Sequence, residues 1–371
     1  MATTMKISQL YIYPIKSLRP TPVPTARLTR HGLAYDRHFM LLKLEPDGQL
    51  TNLYVAKYNE AALFRTDIVF PGTTNANANN NETGNGGGEI HVTYQPPLGH
   101  VERDVLKTLS IPLQPDVDGL EIVEVMMHAS PTKAYLMAGK YSEWFSECLG
   151  YQVRLAYLGG NTRRVLGSLH PGFEKGGNKG DGEGEGGGGG GWLDSITKSM
   201  PYFGNAAATK EDDDEEGITF ADIAAYLVTS ETSLHDVSRR LPEGETMDIT
   251  KFRPNIVLSG AEKAFEEDFW GEVTVNDNIR FTLTSNCGRC VSINVDYETG
   301  AQGTGEVGSV LKKLMRDRRV DKGVKYSPIF GRYGFIDKGS VGREIEVGDE
   351  AVVSRVNEEH TTFYWPKIST N

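Results

Sequence analysis

Between Gly176 and Gly191 the chain carries eleven glycines in sixteen residues, and an unbroken run of six carboxylates spans Glu211 to Glu216. Such a stretch cannot offset the backbone entropy of ordering by burying apolar surface. Residues 172–216 therefore read as a disordered insert, and any core must be assembled from the two flanks. Within the insert, 192–203 is an apolar island suited to transient docking on the body. The glycines are not a phosphate-binding loop, because the Lys-Ser/Thr spacing and the flanking strand and helix are missing.

The 371 residues, 38% of them hydrophobic, suffice for two or three domain equivalents. The net charge of −11 owes six charges to the run at 211–216, so the remaining body is only mildly acidic. Without a basic stripe there is no footprint for nucleic acid. Cys148, Cys287 and Cys290 are too few for a disulfide framework, which suits a reducing compartment. They are also too few for a structural zinc site or a four-cysteine iron–sulfur module. Met1–Lys6 leads into an alternating strand without a charged-then-apolar leader, and no apolar run approaches the roughly 20 residues of a membrane span. A soluble, cytoplasmic protein is expected.

Apolar and polar residues alternate from Met5 to Tyr13 before Pro14, and a second strand runs from Arg37 to Leu44 before Pro46-Asp47-Gly48. Further strands are expected over 63–70, 89–94 and 121–126, with 73–88 an Asn/Gly-rich exposed loop. A helix is expected between Pro131 and Leu149, with Gly150 as its stop and Cys148 packed along it. After Gly217 the pattern predicts a helix capped by Ser230 or Thr229 and running to about Leu241, and a helix near 306–317. Strands are expected at 255–259, around Thr274, and over 279–283, 291–295, 332–336, 344–347 and 351–353. Short strands with few helices point to an α+β, β-rich fold, with a barrel-like N-terminal region and a mixed C-terminal barrel carrying peripheral helices.

Four polar islands stand at predicted strand ends: Tyr13-Pro14-Ile15-Lys16-Ser17, Asp36-Arg37, Phe252-Arg253-Pro254-Asn255 and Arg289-Cys290. Each alone is ordinary surface chemistry. Together they offer several cations and one thiol, which is what an anionic cofactor carrying a thiophilic metal requires: guanidinium forks for phosphate oxygens and a thiolate for the metal. In the same order the chain shows Tyr-Pro-Ile-Lys-Ser, Asp-Arg, Phe-Arg-Pro-Asn-Ile-Val-Leu-Ser-Gly, Cys-x-Arg-Cys before Val-Asp-x-x-Thr-Gly, and Ser327-Pro-Ile-Phe-Gly-Arg-Tyr333. This set resembles the MOSC-domain molybdenum-cofactor proteins, and among them the mitochondrial amidoxime reducing components.

The resemblance divides the chain into a MOSC N-terminal β-rich region at 1–171, the insert at 172–216 and a MOSC domain at 217–371. It implies a molybdenum cofactor, the Mo-molybdopterin, with Cys290 as metal ligand and catalytic residue. Lys16, Ser17, Arg37, Arg253 and Asn255 are implied to contact the cofactor, with Arg289 and Tyr333 flanking the metal and Arg289 favouring the Cys290 thiolate. Cys287 has no implied role. The resemblance further implies an oxidoreductase that reduces N-hydroxylated substrates with electrons from cytochrome b5 and NADH-cytochrome b5 reductase. The alternative is a non-catalytic cofactor carrier or a sulfur-transfer accessory. Relatives anchor in the outer mitochondrial membrane, so association there stands beside the cytoplasmic expectation. Two departures concern the site: Ile223-Ala224 stand where relatives place a hydroxyl pair, and Gly288 where they have serine.

Overall fold

Alternating burial along Met5–Ile12, Trp270–Val275 and Ile279–Gly288 commits one face of each strand to a core. Their backbone donors and acceptors must then be met by neighbouring strands. The computed structural model describes residues 4–72, 87–171 and 217–370, and in it these strands join a closed barrel. Seven strands form the ring: β1 (Met5–Ile12), β2 (Tyr226–Ser230), β3 (Ile256–Ser259), β4 (Trp270–Val275), β5 (Ile279–Gly288), β6 (Ile329–Ile336) and β7 (Glu350–Val356). They run in the order β1-β3-β2-β6-β5-β4-β7 and back to β1. Only β2 and β3 pair in parallel. Closure leaves no free edge in the ring, and Ile7, Leu258, Phe281, Leu283 and Phe335 pack in its core. Because β1 is a stave of this barrel, the segment that follows it, 13–17, is carried to the same body as the C-terminal motifs.

The expected β-rich architecture is present, with a second barrel-like layer in the N-terminal half. A five-stranded sheet there runs Ile122–Met127, Ser130–Leu136, Val153–Tyr157, Phe39–Leu44, Leu50–Asn52, and a three-stranded sheet joins Phe64–Val69, Glu89–Tyr94 and Lys107–Pro112. Helix α1 (Gly139–Leu149) lays Tyr141 and Phe145 against their shared core. It ends at Gly150, whose left-handed φ of 77° lets its N–H reach the Ser146 carbonyl.

Two element expectations need correction. Helix was expected from Pro131, but Ser130–Leu136 is a strand paired with Ile122–Met127. His128 and Ala129, at φ 50° and 61°, close a two-residue hairpin turn, so Tyr135 and Leu136 lie on a strand. A strand was expected over 291–295, but Val291–Asn294 is a 3-10 turn and only Val295–Asp296 pairs, with Ala301–Gln302. Its alternation reflects the burial of Ile293 and Val295 rather than a ladder. The insert at 172–216 and most of the loop at 73–88 lie outside the described residues.

A third cluster fixes the turns that matter most. Helix α2 (Glu231–Ser238) is capped by Ser230, whose side chain accepts the Ser233 N–H. Beside it, Phe252 stacks on Phe330 with centroids 3.9 Å apart, and Ile293, Val310 and Leu314 close around them. Such a ring pair adds about 0.5–1.5 kcal/mol beyond its buried area. It holds the turn before Arg253 and the turn after Cys290 against β6.

Candidate functional site

Strand β5 delivers the two thiols differently. Phe281, Leu283, Ser285 and Cys287 alternate onto its buried face. The register with β6 then slips between Asn286 and Gly288, which re-aims the strand end. Arg289 N–H is tied to the Pro328 carbonyl at 2.8 Å, and Cys290 follows at the start of the 3-10 turn, exposed, with Sγ 3.2 Å from Ser292 Oγ. Cys287 is buried, and burial pushes its thiol up despite the opposing pull of Arg289 and a hydrogen bond with Tyr333. The thiol open to the cleft and to solvent is therefore that of Cys290.

A single cleft is lined by residues 287–290 and Ser292, by Tyr333 on β6, by 251–253 and Asn255, by Ala221, Asp222 and Ala224, and by Arg37. The structure thus brings together Cys290, Arg289, Tyr333, Arg253, Asn255 and Arg37, which are scattered over more than 290 residues of sequence. Lys16 and Ser17 stand behind this wall. Lys16 Nζ donates to the Phe220 carbonyl at 3.0 Å and pairs with the Asp222 carboxylate. Burial lowers its ammonium to about 8, with Asp222 opposing the shift. Desolvation works to raise the Asp222 carboxyl, but Lys16 and His128, the latter 3.6 Å away, outweigh it and hold the group well below the usual carboxylate range. Lys16 thereby compensates the carboxylate on the cleft wall. Ser17, at φ 76°, donates its hydroxyl to Leu53 O at 3.1 Å and does not present it to the cleft.

The guanidinium groups fall into two kinds. Arg289 donates Nε to Phe330 O at 2.9 Å and Nη1 to Phe252 O at 2.6 Å. It braces the stacked phenylalanines, and Gly331 lies beside it: a Cβ there would stand 3.4 Å from Arg289 Nη2 and 2.7 Å from Thr229 Cγ2. Arg163, which no motif singled out, is fully buried and donates to the carbonyls of Thr219 at 3.1 Å, Met127 at 3.0 Å and Asp222 at 2.8 Å, and also to Ala221.

Arg253 differs. Its Nη1 donates to Leu18 O at 2.9 Å, but its Nη2 is buried with no partner among the described residues. Tyr13 lies between Arg253 and Arg37, with the two guanidinium carbons 4.5 and 4.4 Å from its ring centroid, and its hydroxyl also lacks a partner among the described residues. Arg37 itself pairs with Asp36 and donates Nη2 to Arg253 O at 3.1 Å. Buried donors left unmade are costly, and among the described side chains that line the cleft Arg253 is the one that carries such an atom, which marks where a ligand's acceptor belongs. Lys251 lines the same wall; it sits two residues before Arg253, the one sequence signal that could have found it. Asn255 is held by the Leu227 N–H at 3.2 Å and donates to Tyr11 O at 3.3 Å, bracing β1, β2 and β3. Ser17, Arg37 and Arg253 all adopt positive φ, a backbone cost that clusters at functional sites.

A thiol in reach of solvent, a buried guanidinium with an unmade bond and a shared cleft fit a pterin cofactor bearing a phosphate at one end and a metal at the other. The model for the MOSC N-terminal beta barrel domain matches residues 4–85, and the MOSC domain model matches residues 215–352. This chain belongs to the MOSC-domain family. Mitochondrial amidoxime-reducing component 1 of Homo sapiens is 31% identical over 170 residues, covering 43% of this chain and 48% of that protein. Mitochondrial amidoxime reducing component 2 of Rattus norvegicus is 37% identical over 133 residues, 36% of this chain and 37% of that protein. The molybdenum cofactor sulfurase of Arabidopsis thaliana is 40% identical over 94 residues, 23% of this chain and 11% of that protein. The matched stretch of the MOSC protein spans about half or less of each of these relatives.

The two departures are visible in the cleft. Ile223 and Ala224 are buried apolar residues, so only backbone groups serve there. Gly288 is exposed on the cleft wall, where a Cβ would sit 3.3 Å from Ser327 Cβ. Among the described residues no helix is long and apolar enough to cross a membrane.

Proposed function

We propose that this MOSC protein binds the molybdenum cofactor with Cys290 as the protein's metal ligand and reduces N-hydroxylated substrates such as amidoximes. The observation that carries this reading is the exposed Cys290 thiol in one cleft with the unpartnered buried Nη2 of Arg253. The names of the relatives associate the family with N-reduction and with molybdenum cofactor.

In this reading Arg253, Lys251 and Arg37 hold the anionic end of the cofactor, and Tyr333 borders the metal. Lys16 and Ser17 act from behind the wall, Lys16 by neutralising Asp222. Asn255 and Arg289 position the two turns between which the cofactor lies. The bound cofactor supplies the two-electron redox chemistry. The substrate takes up two electrons and two protons, its N–O bond breaks, and the oxygen leaves as water. With only three cysteines the chain cannot form a four-cysteine iron–sulfur relay, so electrons come from separate proteins, cytochrome b5 and NADH-cytochrome b5 reductase.

The test uses protein made in a cofactor-competent host. Metal analysis should find molybdenum, and benzamidoxime should trigger NADH consumption in the presence of both donor proteins. Cys290→Ala should reduce turnover to background with an unchanged melting temperature. Full turnover in that variant rejects the ligand assignment, and molybdenum without turnover in the unmodified protein leaves the carrier reading.

A further inference from the structure

The overall charge of −11 conceals a local reversal. Residues 311–326 hold seven cations, Lys312, Lys313, Arg316, Arg318, Arg319, Lys322 and Lys325, against Asp317 and Asp321. Arg318 is spent on buried Asp268 and Lys313 on Glu306, while Asp317 is taken by Arg240. Lys312, Arg316, Arg319, Lys322 and Lys325 remain exposed, and none has a carboxylate within salt-bridge distance among the described residues.

This segment is fastened to the Cys290 turn at both ends. At its start, in helix α3 (Val310–Leu314), the Leu311 N–H donates to Asn294 Oδ1 at 3.0 Å. At its end, Val324 and Ser327 lie against Gly288, with Val324 Cγ2 3.5 Å and Ser327 Cβ 3.3 Å from where a Cβ would stand. Two apolar side chains next to these anchors in sequence face solvent: Val291, three residues before Asn294, is 38% exposed, and Tyr326, beside Ser327, is 64% exposed. Apolar groups bordered by unpaired charges of one sign have the anatomy of a transient protein interface.

We infer that the 311–326 rim is the docking surface for an electron-donating protein that presents an acidic face. The inference rests on the reductase reading for the donor's role, because the rim borders the one thiol that reading makes a metal ligand. Complementary charge steers encounter and sets orientation more than it adds affinity, as a partner that must dock, deliver electrons and leave requires. An anionic lipid surface or a nucleic acid would use the same cations, but neither calls for them beside the Cys290 mouth.

The experiment uses the full chain, loaded with cofactor, and soluble cytochrome b5 as probe. Binding is titrated directly at about 50 mM and about 500 mM salt, where screening lengths differ severalfold. The triple variant Lys312→Glu, Lys322→Glu, Lys325→Glu should weaken binding about tenfold or more at low salt and converge with the unmodified protein at high salt. The corresponding triple Gln variant should fall between. Dithionite-driven benzamidoxime reduction should be equal in all three proteins, with only the cytochrome-driven rate reduced. Unchanged cytochrome binding in the Glu variant at low salt overturns the proposal. So does a loss of binding to phosphatidylserine vesicles or duplex DNA while cytochrome binding is unaffected. Absence of dithionite-driven turnover in the unmodified protein removes the reductase reading, yet the titration still decides the docking surface.

Discussion

The two walls of the cleft use the same residue type for opposite ends. At 219–222 the loop backbone is gripped from behind by Arg163, which gives its donors to four main-chain carbonyls, and by Lys16, which satisfies Phe220 and Asp222. At 251–255, Arg253 keeps a buried nitrogen unused and Lys251 lines the cleft with its ammonium 5.4 Å from the Tyr297 ring centroid. One wall is built by cations and the other binds with them. A buried guanidinium is thus informative about ligands only after its bonds have been counted, because desolvation costs the same whether backbone or cofactor repairs it.

That difference can be broken by one pair of variants. Arg163→Met strips the donors from the buried carbonyls of Met127, Thr219, Ala221 and Asp222, and should cost about 3–5 kcal/mol, since each unmade buried bond is worth about 1–3 kcal/mol and losses are not additive. Arg253→Met gives up one clear bond, to Leu18, and should cost only about 1 kcal/mol. Molybdenum content should show the reverse ranking per mole of folded protein, falling further in Arg253→Met. Urea unfolding and metal analysis of both variants decide it. If Arg253→Met unfolds as readily as Arg163→Met, the two walls do not differ in kind.

A smaller effect sharpens the contrast through pH. Glu267 is fully buried with one oxygen accepting the Ser233 hydroxyl at 2.7 Å and the other without a partner among the described residues. Burial raises it to about 7, with Asp268 pushing the same way and Ser233 opposing. Between its ordinary value and about 7 the folded chain binds more protons than the unfolded one, so stability falls as pH rises through that window and the loss is complete above it. Glu267→Gln should remove this slope and gain up to about 3 kcal/mol at pH 8, because each tenfold change in proton affinity is worth about 1.4 kcal/mol. Equal slopes from pH 5 to 8 in the two proteins would show that Glu267 titrates as an ordinary carboxyl.

Strands such as Met5–Ile12 and Glu344–Glu346 were legible because they alternate cleanly and end at turn residues, whereas the strand expected over 279–283 runs on to Gly288. The motif residues of the binding wall were legible too, since Arg253 and Cys290 stand in recognisable runs. What could not be read is pairing across long separations. Nothing local says that Lys16 meets Asp222, 206 residues away, or that Arg163 reaches the 219–222 loop. The direction of a guanidinium is equally hidden: Arg289 adjoins Cys290 in sequence but spends itself on Phe252 and Phe330. The strand expected at 291–295 failed because alternation over five residues records burial, and a turn packed on one side produces the same pattern as a strand without a partner. The basic rim escaped because charge was summed over the chain, where the run at 211–216 outweighs it.

The smallest effect is expected where the two functional surfaces meet. Gly288 lies on the cleft wall, and a Cβ there would meet Val324 of the basic rim and the adjoining Ser327. Its φ is not in the left-handed region, so serine meets no backbone penalty, and the 3.3 Å approach to Ser327 Cβ asks the loop at Ser327, outside the barrel strands, to give slightly. Gly288→Ser should therefore change stability by less than about 1 kcal/mol, the usual range for a surface replacement. It adds a hydroxyl one residue from Arg289 and two from Cys290, within a cleft whose 223–224 segment supplies none. If substrate preference is set there, the relative kcat/KM for amidoxime and N-hydroxyguanidine substrates should shift while cytochrome binding stays constant. A change in cytochrome binding alone would place Gly288 with the rim, and the boundary between the reacting cleft and the docking surface would have to move inward.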